Sequence, residues 1–424
     1  MRILVLGINY TPERTSVAPF TTGLCEHLAA NGNEVTVVTA FPYYPEWRVW
    51  DGYRGSLYRK ESIHGVTVHR VAHYVPRKPS RLIERLAYDI SFTVNCFVAA
   101  LFTGRCDIIY CSCPPPTVAF AAYLLGLIKG AGYVMKLTDL ASDAALATGI
   151  MKPGFAIRLA RIFEAFSFRK AQAVICLCQG FIDRLKERGI QEEKLRLISD
   201  WGDTENLRPG AEGSAFRLAT QLSPEQFLVF HTGNMGKKQK LMNVVSAAEA
   251  SRSEPDLKWI IVGQGEEKDQ LQEGISRRRL TNIMLLPLQP AESLPEMYSS
   301  ADLLLLNQAA AVEDAVIPSK LLTYMGAGRA VVAAVSEKSE AARQIRRANC
   351  GVVVPPENPQ ALAEAVLALR KDAGLRQKLG ANARTFAEIH FTKAGVLDRY
   401  DEFFRSLRPE VKDLSTAHPA AEND

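Results

Sequence analysis

The sequence predicts an α/β protein built from two similar halves. Three observations predict it. Short apolar runs that suit buried parallel strands alternate with amphipathic stretches of helical spacing. The alternation restarts at Phe227. Between the two series lies a polar stretch, Thr204 to Ser223, which reads as a linker. The length of 424 residues allows one to three domains. With 47% hydrophobic and 23% charged residues, the chain has the composition of a globular protein with a full core. A net charge of +5 does not demand nucleic acid, and none is expected as a partner; it suits an anionic surface or a phosphate ligand. The eight cysteines include two C-x-C pairs, in IIYCSC and AVICLC. Neither has the C-x2-C spacing of a zinc site, and both read as buried, reduced thiols of a cytosolic protein.

The first half opens with strand Arg2–Ile8, the loop Asn9–Ala18, a helix from Pro19 to Ala30 and a second strand, Glu34–Thr39. This is a Rossmann-like opening, but its first turn has no G-x-G-x-x-G, so bound NAD is not supported. MRILVLGINY turns polar too soon for a signal peptide, and no run reaches the roughly 20 apolar residues of a membrane span. The proline-rich aromatic loop FPYYPEW, Phe41–Trp47, either lines a pocket or covers the sheet edge. His64, His69 and His73 lie on a strand-like stretch, with no fourth metal ligand in view. Arg77, Lys78, Arg81 and Arg85 precede the apolar Phe92–Phe102. This reads either as a helix resting on a membrane surface or as a core helix with a solvated first turn. Strand Asp107–Tyr110 precedes Pro114-Pro115-Pro116 and a helix, Thr117–Lys129. Strand Tyr133–Leu137 ends at Asp139, with Asp143 four residues on. Asp139 sits at a strand's carboxyl end, where it can position an acceptor hydroxyl, act as a base or cap a helix. A helix Ile157–Lys170, a strand Ala173–Leu177, a helix Gly180–Gly189 and a strand Leu195–Ser199 complete the half.

The second half starts with strand Phe227–His231 and the turn Thr232 to Lys240. Gly233 and Gly236 let the backbone approach a ligand closely. Lys237, Lys238 and Lys240 crowd the start of the next helix, Leu241–Ala250. A phosphate would relieve that repulsion and use the helix dipole; a solvated basic turn is the bland alternative. The Walker A spacing is absent. Strands Lys258–Val262 and Ile283–Leu286 follow. Ala301–Ala334 then reads as strand, loop, helix, turn and strand. Its loop carries Glu313 and Asp314, and its helix starts at Pro318-Ser319-Lys320, with Leu321, Leu322 and Met325 on one apolar face. Backbone N–H groups at 319–321 beside Lys320 suit an anion; an ordinary capped helix is the alternative. Strand Gly351–Val354 and helices Pro359–Lys371, Asp372–Ile389 and Lys393–Leu407 follow. The polar tail 408–424 is expected to be disordered.

The segments GNMGKKQ (233–239), VGQGEE (262–267), SADLLLLN (300–307), PSKLLTYMGAGRAVVA (318–333) and GVVVPPENPQALAEAV (351–366) resemble the GT-B nucleotide-sugar glycosyltransferases of the fourth sequence family. With GINYTPE, ANGNEVTVVTAFPYYPEW and TDLASDAALATG, they look most like its WcaI-type members of colanic-acid and exopolysaccharide assembly. The resemblance covers nearly all of residues 1–407. It implies a GT-B fold: an acceptor domain (1–204), a linker (205–225), a donor domain (226–388) and a last helix (389–407) returning to the first domain across a cleft. It further implies a retaining transferase that needs no metal and no cofactor. Gly233, Asn234, Lys237, Lys238 and Gln239 would hold the donor diphosphate, with Lys238 neutralising it. Pro318, Ser319, Lys320 and Leu321 would form a second phosphate cradle, and Leu288 and Gln289 would hold the nucleobase. The donor would be GDP- or UDP-linked, with GDP-fucose suggested by colanic acid. The acceptor would be a lipid-linked saccharide, with a peripheral contact through 77–102 on the cytoplasmic face of the inner membrane. The sequence departs from the pattern where the family often has two glutamates; Ala315 and Thr323 stand there, leaving Glu313 or Asp314 as candidate acids beside Asp139. A nucleotide-sugar epimerase, and a non-catalytic nucleotide- or lipid-binding partner, are the competing readings.

Overall fold

A computed structural model describes residues 1–78, 81–147, 151–209, 214–311 and 319–407. The first sheet is built from β1 (Arg2–Leu6), β2 (Glu34–Ala40), β3 (Tyr58–Ile63), β4 (Val66–Val71), β5 (Ile108–Cys113), β6 (Gly132–Leu137), β7 (Ala173–Cys176) and β8 (Leu195–Leu197). Its order is β3-β4-β2-β1-β5-β6-β7-β8, parallel except for the β3–β4 pair. Helices α1 (Ala18–Ala30), α2 (Leu82–Leu101), α3 (Thr117–Lys129), α4 (Ala141–Ala147), α5 (Phe155–Lys170) and α6 (Gln179–Glu187) connect the strands. The central strands are buried because helices cover both faces; IIYCSC of β5 is buried at every position. All eight cysteines are buried and outside any disulfide. The histidine-bearing stretch His64–Tyr74 begins in the turn of a hairpin, where Gly65 has φ +80°, and continues as its second strand, β4.

The second domain opens with α7 (Ser214–Ala219), inside the stretch that reads as linker. Phe216 enters the core, and the Arg217 guanidinium donates to the Ser300 carbonyl at 2.9 Å and to the Asp302 carboxylate at 3.4 Å. Then come β9 (Phe227–Asn234), α8 (Met242–Ala250), β10 (Leu257–Gln264), α9 (Lys268–Arg277), β11 (Ile283–Leu286), α10 (Leu294–Ser300), β12 (Leu303–Asn307), α11 (Ser319–Gly326), β13 (Val331–Ala334), α12 (Glu340–Ala348) and β14 (Gly351–Val354). This sheet is wholly parallel, ordered β11-β10-β9-β12-β13-β14. Strand β9 outruns the expected Phe227–His231 by three residues, pairing with β10 as far as Asn234. That register depends on Gly263: a Cβ there would lie 1.8 Å from the Gly233 carbonyl oxygen. Helices α13 (Pro359–Lys371) and α14 (Ala373–His390) close the domain.

The last helix, α15 (Lys393–Ser406), packs on the first domain. Val396, Tyr400, Phe403 and Phe404 enter the core that holds α1 and β5, and Asp401 accepts from His27 at 2.8 Å. Two Rossmann-like domains facing across a cleft, with the last helix returned to the first, form the GT-B arrangement that the resemblance implies. The tail 408–424 lies outside the described residues. Among the described residues, no helix is long and apolar enough to cross a membrane.

The chain therefore crosses between domains twice, and the crossings are tied together. The Arg384 guanidinium on α14 donates to the carbonyls of Thr204, Leu207 and Gly326 at 2.5–2.7 Å. Gly202 N–H donates to the Phe391 carbonyl at 2.8 Å. Arg384→Ala would leave three carbonyls without their charged donor. We expect about 2–4 kcal/mol of lost stability in chemical denaturation; a loss below about 0.5 kcal/mol would show the crossings are held elsewhere.

Candidate functional site

The lysine-rich turn after β9 is held from below. Asn307, fully buried at the end of β12, donates its Nδ2 to the carbonyls of Gln239 (2.6 Å) and Lys240 (3.2 Å). Its Oδ1 accepts from Asn243 at 2.9 Å. Ala309 N–H donates to the Lys238 carbonyl at 2.8 Å. The backbone of the turn is thus bound to the neighbouring strand end, so the lysine side chains project from a fixed base. Lys237 is exposed and Lys238 half-buried.

Beside it, α11 brings Lys320 against β9. Lys320 Nζ lies 3.3 Å from His231 Nε2, and His231 Nδ1–H donates to the Leu305 carbonyl at 3.1 Å. That second bond fixes the tautomer, leaving Nε2 as an acceptor for the ammonium. Burial holds the imidazole well below its ordinary value, and the Lys320 charge acts in the same direction. Burial also lowers Lys320, from 10.5 to about 7. Gly233, at φ +118°, lies against this ammonium; a Cβ there would come 3.3 Å from Nζ. Tyr324 of α11 accepts from Thr232 N–H at 3.0 Å and donates to the Leu305 carbonyl at 3.3 Å, fixing the helix to the strand ends. The glycine turn and the lysine-bearing helix, read separately in the sequence, form one basic surface.

Among the described residues, three polar contacts cross the cleft away from the chain crossings, and all link segments that follow parallel strands. Asp139, after β6, faces Lys238 with Oδ2 at 3.9 Å from Nζ. Arg14, after β1, reaches Glu292, after β11, at 3.7 Å. Gly180 N–H, at the start of α6, donates to Glu340 Oε2, at the start of α12, at 3.4 Å. The carboxyl ends of both sheets therefore face each other, the position where open α/β sheets bind ligands. Burial raises the Asp139 pKa, opposed by the charges of Lys238 and Arg85. The floor on the first-domain side is ordered by Glu13, which accepts from Asn9 Nδ2 and from the backbone N–H groups of Tyr43 and Tyr44 at 2.8–2.9 Å. Burial raises Glu13 as well, against those three donors.

Other sequence-singled residues sit apart. Leu288 and Gln289 follow β11 at the sheet edge, Leu288 exposed and Gln289 Nε2 donating to the Pro287 carbonyl. Asn234 is exposed at the end of β9. Ser319 begins α11, while the Leu321 side chain is in the core, leaving its backbone as the only part free to meet a ligand. Glu313, Asp314 and Pro318 lie outside the described residues. Asp143 pairs with Arg161, Arg184 and Arg188 at 2.5–3.1 Å, away from Lys238. The three histidines diverge: His64 meets Glu26, His69 meets Tyr58, and His73 packs between Tyr43 and Tyr88. His231, Asn307, Arg85 and Glu340 were not legible as site residues, since each acts on a partner distant in sequence. Replacing Asn307 by Ala should cost about 2–3 kcal/mol and speed amide exchange across residues 237–240. Unchanged exchange there would mean that the turn is ordered without it.

The comparisons with known proteins bear on the family and the fold. The model of "Glycosyl transferase 4-like domain" matches residues 15–201, and that of "Glycosyl transferases group 1" matches 215–386. The Escherichia coli K12 protein WcaI, named as a colanic acid biosynthesis glycosyl transferase, is 33% identical over 408 residues, covering 94% of this chain and 98% of its own. Among solved structures, Anabaena HepE in complex with UDP has a TM-score of 0.70 at 17% identity, covering 96% of this chain and all of that one. Sucrose-phosphate synthase of Thermosynechococcus elongatus has a TM-score of 0.73 at 16% identity, covering 96% and 98%. The chain belongs to the GT-B glycosyltransferases of the fourth sequence family, in its WcaI-like branch, and is a nucleotide-sugar-dependent hexosyltransferase.

Proposed function

We propose that the enzyme transfers a hexosyl group from a GDP- or UDP-linked sugar to a lipid-linked saccharide during exopolysaccharide synthesis, with retention and without a divalent metal. The observation that carries this is the approach of Lys238 to Asp139 across the cleft, with Lys320 on the same basic surface. As the bond from the anomeric carbon to the diphosphate breaks, negative charge grows on the leaving oxygen. Lys238, Lys320 and the start of α11 stabilise that charge, in the role a metal would otherwise fill. The acceptor oxygen bonds to the anomeric carbon on the face from which the diphosphate leaves, as retention requires, and Asp139, beside Lys238 on that side and with its proton affinity raised by burial, positions the hydroxyl and takes its proton. Gly233, Asn234, Lys237 and Gln239 frame the diphosphate, with Pro318, Ser319 and Leu321 as the second cradle. Leu288 and Gln289 hold the base, and Glu313 or Asp314 contacts the sugar. The colanic-acid resemblance makes GDP-fucose the first donor to test, and the UDP in the HepE structure makes UDP-sugars the second. A lipid-linked acceptor places the enzyme on the cytoplasmic face of the inner membrane, in contact through residues 77–102.

Lys238→Ala should lower kcat/KM for the donor by about 10²–10³-fold. Its unfolding curve should be unchanged, because so open an ion pair contributes little to stability. Unchanged turnover in that variant would remove Lys238 from the site.

Lys320 gives a pH signature. Unfolded, it keeps its proton to its ordinary 10.5; folded, it releases it near 7. Between those values the unfolded chain binds more protons, so this group makes the ligand-free protein more stable as pH rises. A bound diphosphate reverses the bias by giving the ammonium a partner. Calorimetry at pH 8, in buffers of different ionisation enthalpy, should show proton uptake on nucleotide binding, absent in Lys320→Met. Equal uptake in both proteins would place the diphosphate away from Lys320.

A further inference from the structure

Helix α2 is apolar on the side it turns away from the protein. Its inner face buries Tyr88, Phe92, Cys96 and Ala100. Its outer face carries Ile83, Leu86, Ile90, Val94, Val98 and, just past its end, Phe102, each between 48% and 85% exposed. These recur at three- and four-residue steps, so they form one stripe along a helix about 30 Å long. Soluble helices place polar residues on that side.

The stripe does not end with α2. Helix α3 lies beside it, tied by the Thr93–Thr117 hydroxyl bond at 2.6 Å, and exposes Leu127 and Ile128. Helix α5 lies beside α3, with Phe120 against Phe163 and Tyr123 against Phe166 at ring distances of 5.7 and 5.2 Å. It exposes Phe155, Leu159 and Ile162 at 57–82%. Three adjacent helices on one side of the first sheet thus present a contiguous apolar face of the kind that marks an interaction surface.

Charge selects its occupant. Segments 77–105, 117–130 and 151–170, which hold these helices, contain eleven Lys and Arg against three Asp and Glu, an excess of eight. The whole chain nets +5, so everything outside those segments nets −3. Two of the three acids, Asp89 and Glu164, are buried, which leaves the surface more one-sided than the count. Arg77, Lys78, Arg81, Arg105, Lys152 and Arg158 are exposed around the apolar residues. Beside Ile162 opens a cavity of about 620 Å³ lined by Arg161, Arg169, Arg184 and Arg188 together with Asp143 and Glu187; Asp143 pairs with Arg161, Arg184 and Arg188, so the exposed basic residues around the apolar centre, not this cavity, supply the charge. An apolar centre within a basic frame matches acyl chains beneath anionic headgroups. Facing copies of the same basic frame would instead repel each other.

We infer that the outer faces of α2, α3 and α5 together form a docking surface for an anionic lipid bilayer, entered to the depth of the headgroup boundary. This deepens the membrane contact proposed for residues 77–102 by adding two helices to it. It does not depend on the identity of the donor. Helix α2 also links the surface to the cleft, since Arg85 is near enough to Asp139 for its charge to act there. A lipid-linked acceptor held in the docked bilayer would have its saccharide at the cleft mouth.

The test is vesicle flotation of the full chain with phosphatidylcholine alone and with phosphatidylglycerol added. We expect flotation with the anionic vesicles, little with the neutral ones, and release at high salt. Ile90→Glu/Val94→Glu and, separately, Leu127→Glu/Ile128→Glu should each lower partitioning by about tenfold or more, with the wild-type circular dichroism and melting transition retained. Replacing exposed side chains makes misfolding an unneeded explanation, and the two pairs lie on different helices. Donor hydrolysis in detergent-free solution, followed in the same variants, should be unchanged, which separates loss of docking from loss of the transferase reading. Wild-type protein that fails to float with anionic vesicles overturns the proposal. So does a loss confined to the α2 pair, which would return the contact to that helix alone. A wild-type dimer converted to monomer by either pair would make the face an interface between copies and overturn it too.

Discussion

A lysine held against a neutral imidazole is the interaction on which the second domain's site depends. The Lys320 ammonium meets His231 Nε2, and His231 is locked in that role by the Leu305 carbonyl. The arrangement binds three elements, β9, β12 and α11, through one charge. Burial makes that charge costly, since a neutral acceptor offsets little of the lost hydration. A site that withholds a full counter-charge from its cation is preorganised for an arriving anion. In the adjacent lysine turn, Asn307 fixes the backbone, and Lys238 meets a carboxylate only at 3.9 Å, that of Asp139.

The first domain contributes by position. Its sheet ends oppose those of the second, so Asp139 reaches the lysine turn across the cleft. That opposition requires the domains to be held in register, and the chain does so with a few directed bonds. Arg384 gathers two carbonyls of the first crossing, Thr204 and Leu207, and that of Gly326 at the end of α11, and the buried Lys136–Asp200 pair, at 2.5 Å, fixes the chain as it leaves the first domain. Helix α15 then returns to pack beside α1. By contrast, the contacts that cross the open cleft are long: Asp139–Lys238 at 3.9 Å, Arg14–Glu292 at 3.7 Å and the Gly180–Glu340 hydrogen bond at 3.4 Å. Strong bonds at the crossings and weak ones at the mouth suit domains that must admit a ligand between them.

Much of this was legible in the sequence because it is local. The strands of the second domain announce themselves as apolar runs, and LLLLN and GVVV lie in strands. The lysine turn is readable because three lysines and two glycines follow one strand within a few residues. Where reading failed, the deciding contact was distant. Phe216 and Arg217 look like linker until the core and Asp302 are placed around them. The three histidines of one stretch, read without a fourth metal ligand, go to separate partners that the sequence does not show: Glu26, Tyr58 and the Tyr43–Tyr88 pair. His231 is one polar residue ending an apolar strand; nothing adjacent shows that Lys320, 89 residues on, will be its partner. The basic start of α2 was visible, but the apolar layer it shares with α3 and α5 exists only after folding.

The most direct test of the account is thermal unfolding of the purified full chain against GDP, UDP and their sugars, with a chelator present throughout. The account predicts that one nucleotide and its sugars raise Tm under these conditions, with stabilisation approaching about 2.7 kcal/mol when ligand reaches a hundred times its Kd. A folded protein that shifts with no nucleotide sugar, or that shifts only when a divalent metal is restored, would contradict the claim that this chain's own lysines carry the diphosphate.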